Sequence, residues 1–175
     1  VMMLARIDPD AGTVRLVSFL RDLYVSIPGH GYDRLNAACF YGGETLLLQT
    51  LEENFGVSAE HTVTAHFPTL VQAVDLLGGV EAEITESERQ QLNKILEDYN
   101  RQVGLAADDG LLETAGEHLL NGRQALSYCR IRKIDSDFRR TGRQQRILGS
   151  AAEKLMQMKL FDLLKLAVTL LDEVE

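Results

Sequence analysis

Residues 61 to 84 read HTVTAHFPTLVQAVDLLGGVEAEI, and the class of architecture turns on how they fold. His61 to His66 alternates as a strand does. Pro68 suits the first turn of a helix, where its missing N–H costs nothing; that helix runs to about Leu77, and Gly78-Gly79 ends it. Val80 to Ile84 alternates again. The order strand, helix, strand predicts an α/β unit. His61 and His66, five apart on a strand, point to opposite faces and make no metal pair.

Toward the N-terminus the pattern is a strand meander. Met2 to Ile7 is an apolar run, Asp8-Pro9-Asp10-Ala11-Gly12 is a turn, and Val14 to Phe19 is a second strand, so a hairpin is expected. A short strand from Leu23 to Ile27 follows. Arg21 sits where the second strand gives way to a loop, a common place for functional groups held by a sheet. Its alternative is a surface ion pair with Asp22 or another acid. Asp33 is a candidate helix cap, and Leu35 to Phe55 carries apolar positions at helical spacing (Ala38, Leu46, Leu47, Thr50, Leu51, Phe55). Gly42-Gly43 interrupts that pattern at a cost of about 1 kcal/mol per glycine, which close backbone or ligand approach usually offsets.

Toward the C-terminus, residues 86 to 103 are charged, with helical spacing at Leu92, Ile95, Leu96 and Tyr99. Gly104 to Gly116 reads as loop, with His30 and His118 alone in loop-like surroundings and assigned no chemistry. Asn121 to Cys129 is a short helix with Ala125, Leu126 and Cys129 on its inward face. Leu160 to Val174 is a last amphipathic helix, too short and too acidic at its end to cross a bilayer.

Between these helices lies RIRKIDSDFRRTGRQQR, residues 130 to 146. It holds seven of the chain's 18 basic residues (Arg130, Arg132, Lys133, Arg139, Arg140, Arg143, Arg146) against two aspartates, in a 175-residue protein of net charge −8. Planar guanidinium forks match phosphate oxygens two at a time, so phosphate recognition is the leading reading. From Asp137, a candidate N-cap, Arg140 and Gln144 fall on one helical face with Ile147, Leu148, Ala151 and Leu155. A face that buries apolar groups at one end should turn Arg140 and Gln144 inward at the other. Arg130 and Arg132 share a side of an extended segment, with Ile131 opposite. The competing reading is a solvated basic helix.

Composition bounds the rest. Hydrophobic content of 45% and charged content of 25% describe a globular chain long enough for one substantial core. The acidic balance argues against nonspecific binding to nucleic acid or an anionic membrane surface. Cys39 and Cys129 give neither metal spacing nor a disulfide framework, and each reads as a small buried side chain.

Several stretches together resemble the LytR-CpsA-Psr family of cell-envelope proteins: MMLARIDPDAGTVRLVSFLRDLYVSIPGHG, DRLNAACFYGG, LVQAVDLLGGVEAEI, HLLNGRQALSYCRIR and DFRRTGRQQRIL, in the family's order. The resemblance implies one LytR-CpsA-Psr domain over residues 1 to 175, truncated at its N-terminus, with a membrane helix and the first strands absent. It implies an α+β fold in which a central mixed β-sheet is flanked by helices in a three-layer α/β/α-like arrangement, with an apolar groove between sheet and helices for a prenyl tail. The implied activity is that of a phosphotransferase moving a polyprenyl-pyrophosphate-linked glycan, of teichoic acid or capsular polysaccharide type, to peptidoglycan at the extracytoplasmic face of a bacterial membrane. Alternatives are a non-catalytic polyprenyl-phosphate-binding module and, ranked last, a transcriptional regulator; no nucleic-acid partner is expected.

By the same resemblance Arg21, Arg130, Arg132, Arg140 and Gln144 contact the pyrophosphate. Arg21, Asp137 and Arg140 are the catalytic candidates, Asp137 either fixing an arginine or taking part in proton transfer. Mg²⁺ is the implied cofactor, and its acidic ligands are expected upstream of Val1. Where the family commonly reads SIPRD, this chain has Ser18-Phe19-Leu20-Arg21-Asp22, so the loop lacks its proline while Arg21 keeps its place.

Overall fold

A computed structural model of the chain describes residues 2–8, 10–11, 13–64, 66–132 and 137–158; of these, the side chains of Ile7, Asp137 and Phe138 are not described. It divides into two compact units, residues 1–63 and 64–175.

In the first unit, β1 (Met2–Asp8) and β2 (Thr13–Phe19) form an antiparallel hairpin in which Met2 faces Phe19. A tighter hairpin follows from β3 (Tyr24–Ile27) and β4 (Gly31–Arg34). Helix α1 (Leu35–Phe55) then packs back on β3. The link is specific: the Asn54 amide donates to the Ser26 carbonyl at 2.7 Å and accepts the Ser26 N–H at 3.2 Å. Val25, Ile27, Leu35, Ala38 and Leu51 make the core of this unit. Gly42 and Gly43 break the helix as expected. Gly43 adopts φ 65°, ψ −155°, a conformation open to glycine but costly for any residue with a Cβ. The cap is Arg34 in extended conformation, while Asp33 belongs to β4 and accepts from the Arg34 N–H instead.

The second unit contains α2 (Phe67–Leu76), β5 (Val80–Ile84), α3 (Glu86–Gln102), β6 (Gly116–Leu120), α4 (Gly122–Cys129) and α5 (Asp137–Gln157). Along β5, Val80, Ala82 and Ile84 are buried while Glu81 and Glu83 face out, the two-residue period of a half-buried strand. Helix α3 starts with a capping box: the Thr85 hydroxyl accepts the Glu88 N–H, and the Glu88 carboxylate accepts the Thr85 N–H. Acids in its first turn and Arg101 in its last complement the helix dipole. Asn121 and Gln124 form a second box at the start of α4. There α2 and α4 approach so closely that a Cβ on Gly122 would run into the Val71 backbone, and the Gly122 N–H donates to Asp75 at 2.7 Å. Val74, Val80, Ile84, Leu92, Leu96, Leu120, Tyr128, Ile131 and Ile147 close the core.

The expected mixture of helices and strands holds, and several local expectations are corrected. Residues 61–64 are exposed and form no strand, because alternation yields a strand only when a ladder partner is present. Strand β5 pairs antiparallel with β6, which follows it in the chain. Among the described residues the strands form three two-stranded antiparallel ladders, two of them closed by short turns. Gly116–Leu120 form β6, so His118, expected in loop-like surroundings, lies on a strand, where Nε2 meets the Thr114 carbonyl at 2.9 Å. Cys39 is exposed and only Cys129 is largely withdrawn from water. The helix expected at 160–174 lies outside the described residues. No helix among the described residues is long and apolar enough to cross a membrane.

Candidate functional site

The arginine-rich stretch begins where α4 ends. Six of the eight residues of α4 are buried, so the helix is locked in place before it hands the chain to Arg130. Arg130 closes the helix in helical conformation (φ −91°, ψ −4°), its N–H bonded back to the Leu126 carbonyl. The segment is therefore not extended at Arg130, although the alternation of exposure about Ile131 holds. Ile131 is fully buried while Arg130 and Arg132 are exposed. The Arg130 guanidinium lies 5.2 Å above the ring of Phe67, the first residue of α2, a cation–π contact worth about 0.5–1 kcal/mol at an exposed site.

Helix α5, which packs on α4 and β5, supplies the remaining basic groups. Its inward residue is Arg143, not Arg140: Arg143 is 1% exposed and stands on one stripe with buried Ile147 and core-packed Ala151. Arg140 and Gln144 are half-buried beside it, and Leu148, expected inside, is exposed. The stripe is rotated by the tertiary partner. A guanidinium nitrogen of Arg143 meets Glu88 Oε1 at 3.3 Å, and another donates to the Ile131 carbonyl at 3.0 Å. Tyr128 donates to the same Glu88 oxygen at 3.4 Å and accepts from Arg146 at 3.0 Å. Gln144 donates to the Cys129 carbonyl at 3.3 Å.

The electrostatics follow from this packing. Burial pushes the Glu88 carboxyl up, but the hydrogen bonds from Thr85 and the Arg143 guanidinium outweigh it and hold the group below the ordinary carboxylate range. Glu88 is thus a fixed anion that neutralises Arg143. Burial, and then the Glu88 charge, push the Tyr128 phenol up to about 12, so it remains a proton donor. The Cys129 thiol is likewise driven up to about 12 by burial.

In the first unit, Arg21 lies in the turn after β2. Its Nε donates to Asp22 at 3.2 Å, both side chains are about half exposed, and Arg34 approaches the other Asp22 oxygen at 3.7 Å. The ion pair weighed as the alternative for Arg21 is therefore present, and at this exposure it is worth little. The Arg21 backbone is better fixed than its side chain, because its carbonyl accepts the Asn36 N–H at 3.0 Å.

Lys133 to Ser136 and the side chain of Asp137 lie outside the described residues, so the expected cap and catalytic carboxylate at Asp137 do too. Among the described residues no three acidic, histidine or cysteine side chains gather where they could hold a metal ion. A shallow concavity lined by Glu81, Ala82, Glu83, Glu117, His118 and Leu119 lies on the β5–β6 ladder. Sequence reasoning missed Glu88, Tyr128 and the role of Arg143. The capping-box spacing Thr85-x-x-Glu88 was a readable signal for the first.

The chain belongs to the LytR_cpsA_psr family, which it matches over residues 1–175. It is similar to the polyisoprenyl-teichoic acid–peptidoglycan teichoic acid transferase TagT of Bacillus subtilis (strain 168), with 35% identity over 81% of this chain and 41% of that protein. To the transferase TagU of Enterococcus faecalis it is 31% identical, over 89% of this chain and 46% of that one. Among solved structures, it resembles the LytR-CPS2A-psr family protein YwtF (TagT) with bound octaprenyl pyrophosphate lipid, at 28% identity and a TM-score of 0.65, covering 90% of this chain and 61% of that chain. The chain spans less than half the length of these two curated relatives.

Proposed function

We propose that the protein transfers a polyprenyl-pyrophosphate-linked glycan polymer, of teichoic acid or capsular polysaccharide type, onto peptidoglycan at the extracytoplasmic face of a bacterial membrane. The observation that carries this reading is the outward pair Arg130 and Arg132 on a segment anchored by buried Ile131, in a chain of this family. The octaprenyl pyrophosphate bound by a relative supports the choice of ligand. A chain of net charge −8 concentrates its guanidinium groups here, which suits a compact polyanion better than a long nucleic acid.

In the proposed reaction, an acceptor hydroxyl oxygen bonds to the glycan-bearing phosphorus, the bridging P–O bond breaks, and polyprenyl monophosphate leaves with the electron pair. The hydroxyl proton passes to solvent or a base. Such chemistry needs positioning and neutralisation of phosphate oxygens, which Arg130, Arg132 and Arg140 supply. Arg21 is assigned to the same ligand by family resemblance, its exposed pair with Asp22 being weak enough to exchange for phosphate. Mg²⁺ and a membrane anchor belong to this reading on the same ground.

The test is the affinity for octaprenyl pyrophosphate in the wild type and in Arg140→Ala. Loss of a charge-assisted contact should cost about 1.5–3 kcal/mol, or about ten- to a hundredfold in affinity. Unchanged affinity with an intact fold would remove the arginine cluster from the site. Tight binding without glycan transfer would leave a lipid-binding module instead of a transferase.

A further inference from the structure

We propose that Arg143 is a positioning residue: its buried guanidinium, balanced by Glu88, fixes the main chain between Arg130 and Arg132 so that both present outward together. The inference rests on the reading of Arg130 and Arg132 as pyrophosphate ligands.

The residue between the two exposed arginines is held from both ends. The Ile131 side chain is fully buried in the core, and its carbonyl accepts from Arg143 at 3.0 Å. The next residue of α5, Gln144, donates to the Cys129 carbonyl at 3.3 Å. Adjacent residues of one helix thus grip the carbonyls on either side of Arg130. The Cys129 carbonyl, at the end of α4, lacks an intrahelical partner and takes the Gln144 amide. The Ile131 carbonyl, just past the helix, takes a buried charged donor, the stronger of the two bonds. Helix α5 is in effect the cap of α4, and it fixes the direction in which the chain leaves that helix.

Arg143 cannot itself serve an anion from where it lies. It is 1% exposed and its charge is met at 3.3 Å by Glu88, which is in turn held by Thr85 and Tyr128. Its contribution is geometric. It also requires arginine: a planar fork spans the carboxylate and the carbonyl at once, whereas a lysine offers a single ammonium on a flexible stem.

The experiment measures the dissociation constant for octaprenyl pyrophosphate in the intact protein as a cycle: wild type, Arg143→Lys, the double variant Arg130→Ala/Arg132→Ala, and the triple variant. Arg143→Lys is expected to keep a cooperative melt and to weaken binding about tenfold. In the background lacking Arg130 and Arg132, the same substitution is expected to change the residual affinity by less than about twofold, since it acts through them. A merely structural contribution would weaken binding equally in both backgrounds, and that equality overturns the proposal, as does unchanged affinity in Arg143→Lys. Should Arg143→Lys not fold, Glu88→Gln, which removes the balancing charge but keeps an acceptor oxygen, goes through the same cycle under the same criteria. If Arg130→Ala/Arg132→Ala binds as tightly as wild type, the pyrophosphate reading falls and this inference with it. If that pair matters and Arg143 does not, only this inference falls.

Discussion

The carboxylate of Glu88 and the guanidinium of Arg143 meet at 3.3 Å across 55 residues of chain, with both side chains almost withdrawn from water. The pair ties the first turn of α3 to the second turn of α5. Removing one partner of a buried pair strands the other charge, so Glu88→Ala should destabilise the protein by about 3 kcal/mol. Tyr128→Phe, which deletes only a hydroxyl between Glu88 and Arg146, should cost about 1 kcal/mol. Urea unfolding midpoints check both, and equal losses in the two variants would show that the ion pair carries no special weight.

The same carboxylate sets a pH dependence. Its folded-state pKa lies below the ordinary value of 4.5, so the stability it contributes is complete above that value and is lost as pH falls through the lower, folded one. Melting temperatures recorded from pH 7 down to pH 3 should show the gap between wild type and Glu88→Gln narrowing below about pH 4.5. A gap that stays constant on acidification would mean that Glu88 does not titrate with folding.

Asn100 governs the loop between α3 and β6. Its side chain is fully buried, donates to the carbonyls of Ala107 and Asp109, and accepts from Arg123 at 2.6 Å. Arg123 continues to the Asp109 carboxylate. Asn100→Ala leaves these groups without their partner and should cost about 2–3 kcal/mol. Hydrogen exchange should quicken in residues 104–115 before it does in α4, and protection unchanged in that loop would refute the assignment.

The two cysteines should differ in reactivity. Cys39 is exposed, and burial of Cys129 drives its thiol up to about 12, which leaves little thiolate at neutral pH. Iodoacetamide at pH 8 should modify Cys39 while Cys129 reacts only on unfolding. Equal rates at both positions in the folded protein would contradict this burial pattern.

Much of this protein was legible locally. The hairpin at the N-terminus, the glycine break at 42–43, the helix through Leu92 and Leu96, and the Asn121 start of α4 all follow from periodicity and capping, which act over a few residues. The arginine stretch was equally visible, because charge is written in the residues themselves, and so was the outward pair flanking Ile131. Harder to read was anything that needs a distant partner. His61 to Thr64 has the alternation of a strand and no ladder, while Gly116–Leu120 has an unpromising sequence and forms one, since β5 supplies its hydrogen bonds. The helix pattern placed Arg140 and Gln144 on the inward face, whereas the buried arginine is Arg143, the residue just before Gln144. Helical periodicity alone cannot choose between stripes that lie a fraction of a turn apart. Only the folded chain brings Glu88 to α5, and a carboxylate already committed to capping α3 is what allows Arg143 to be buried while Arg130 and Arg132 face out.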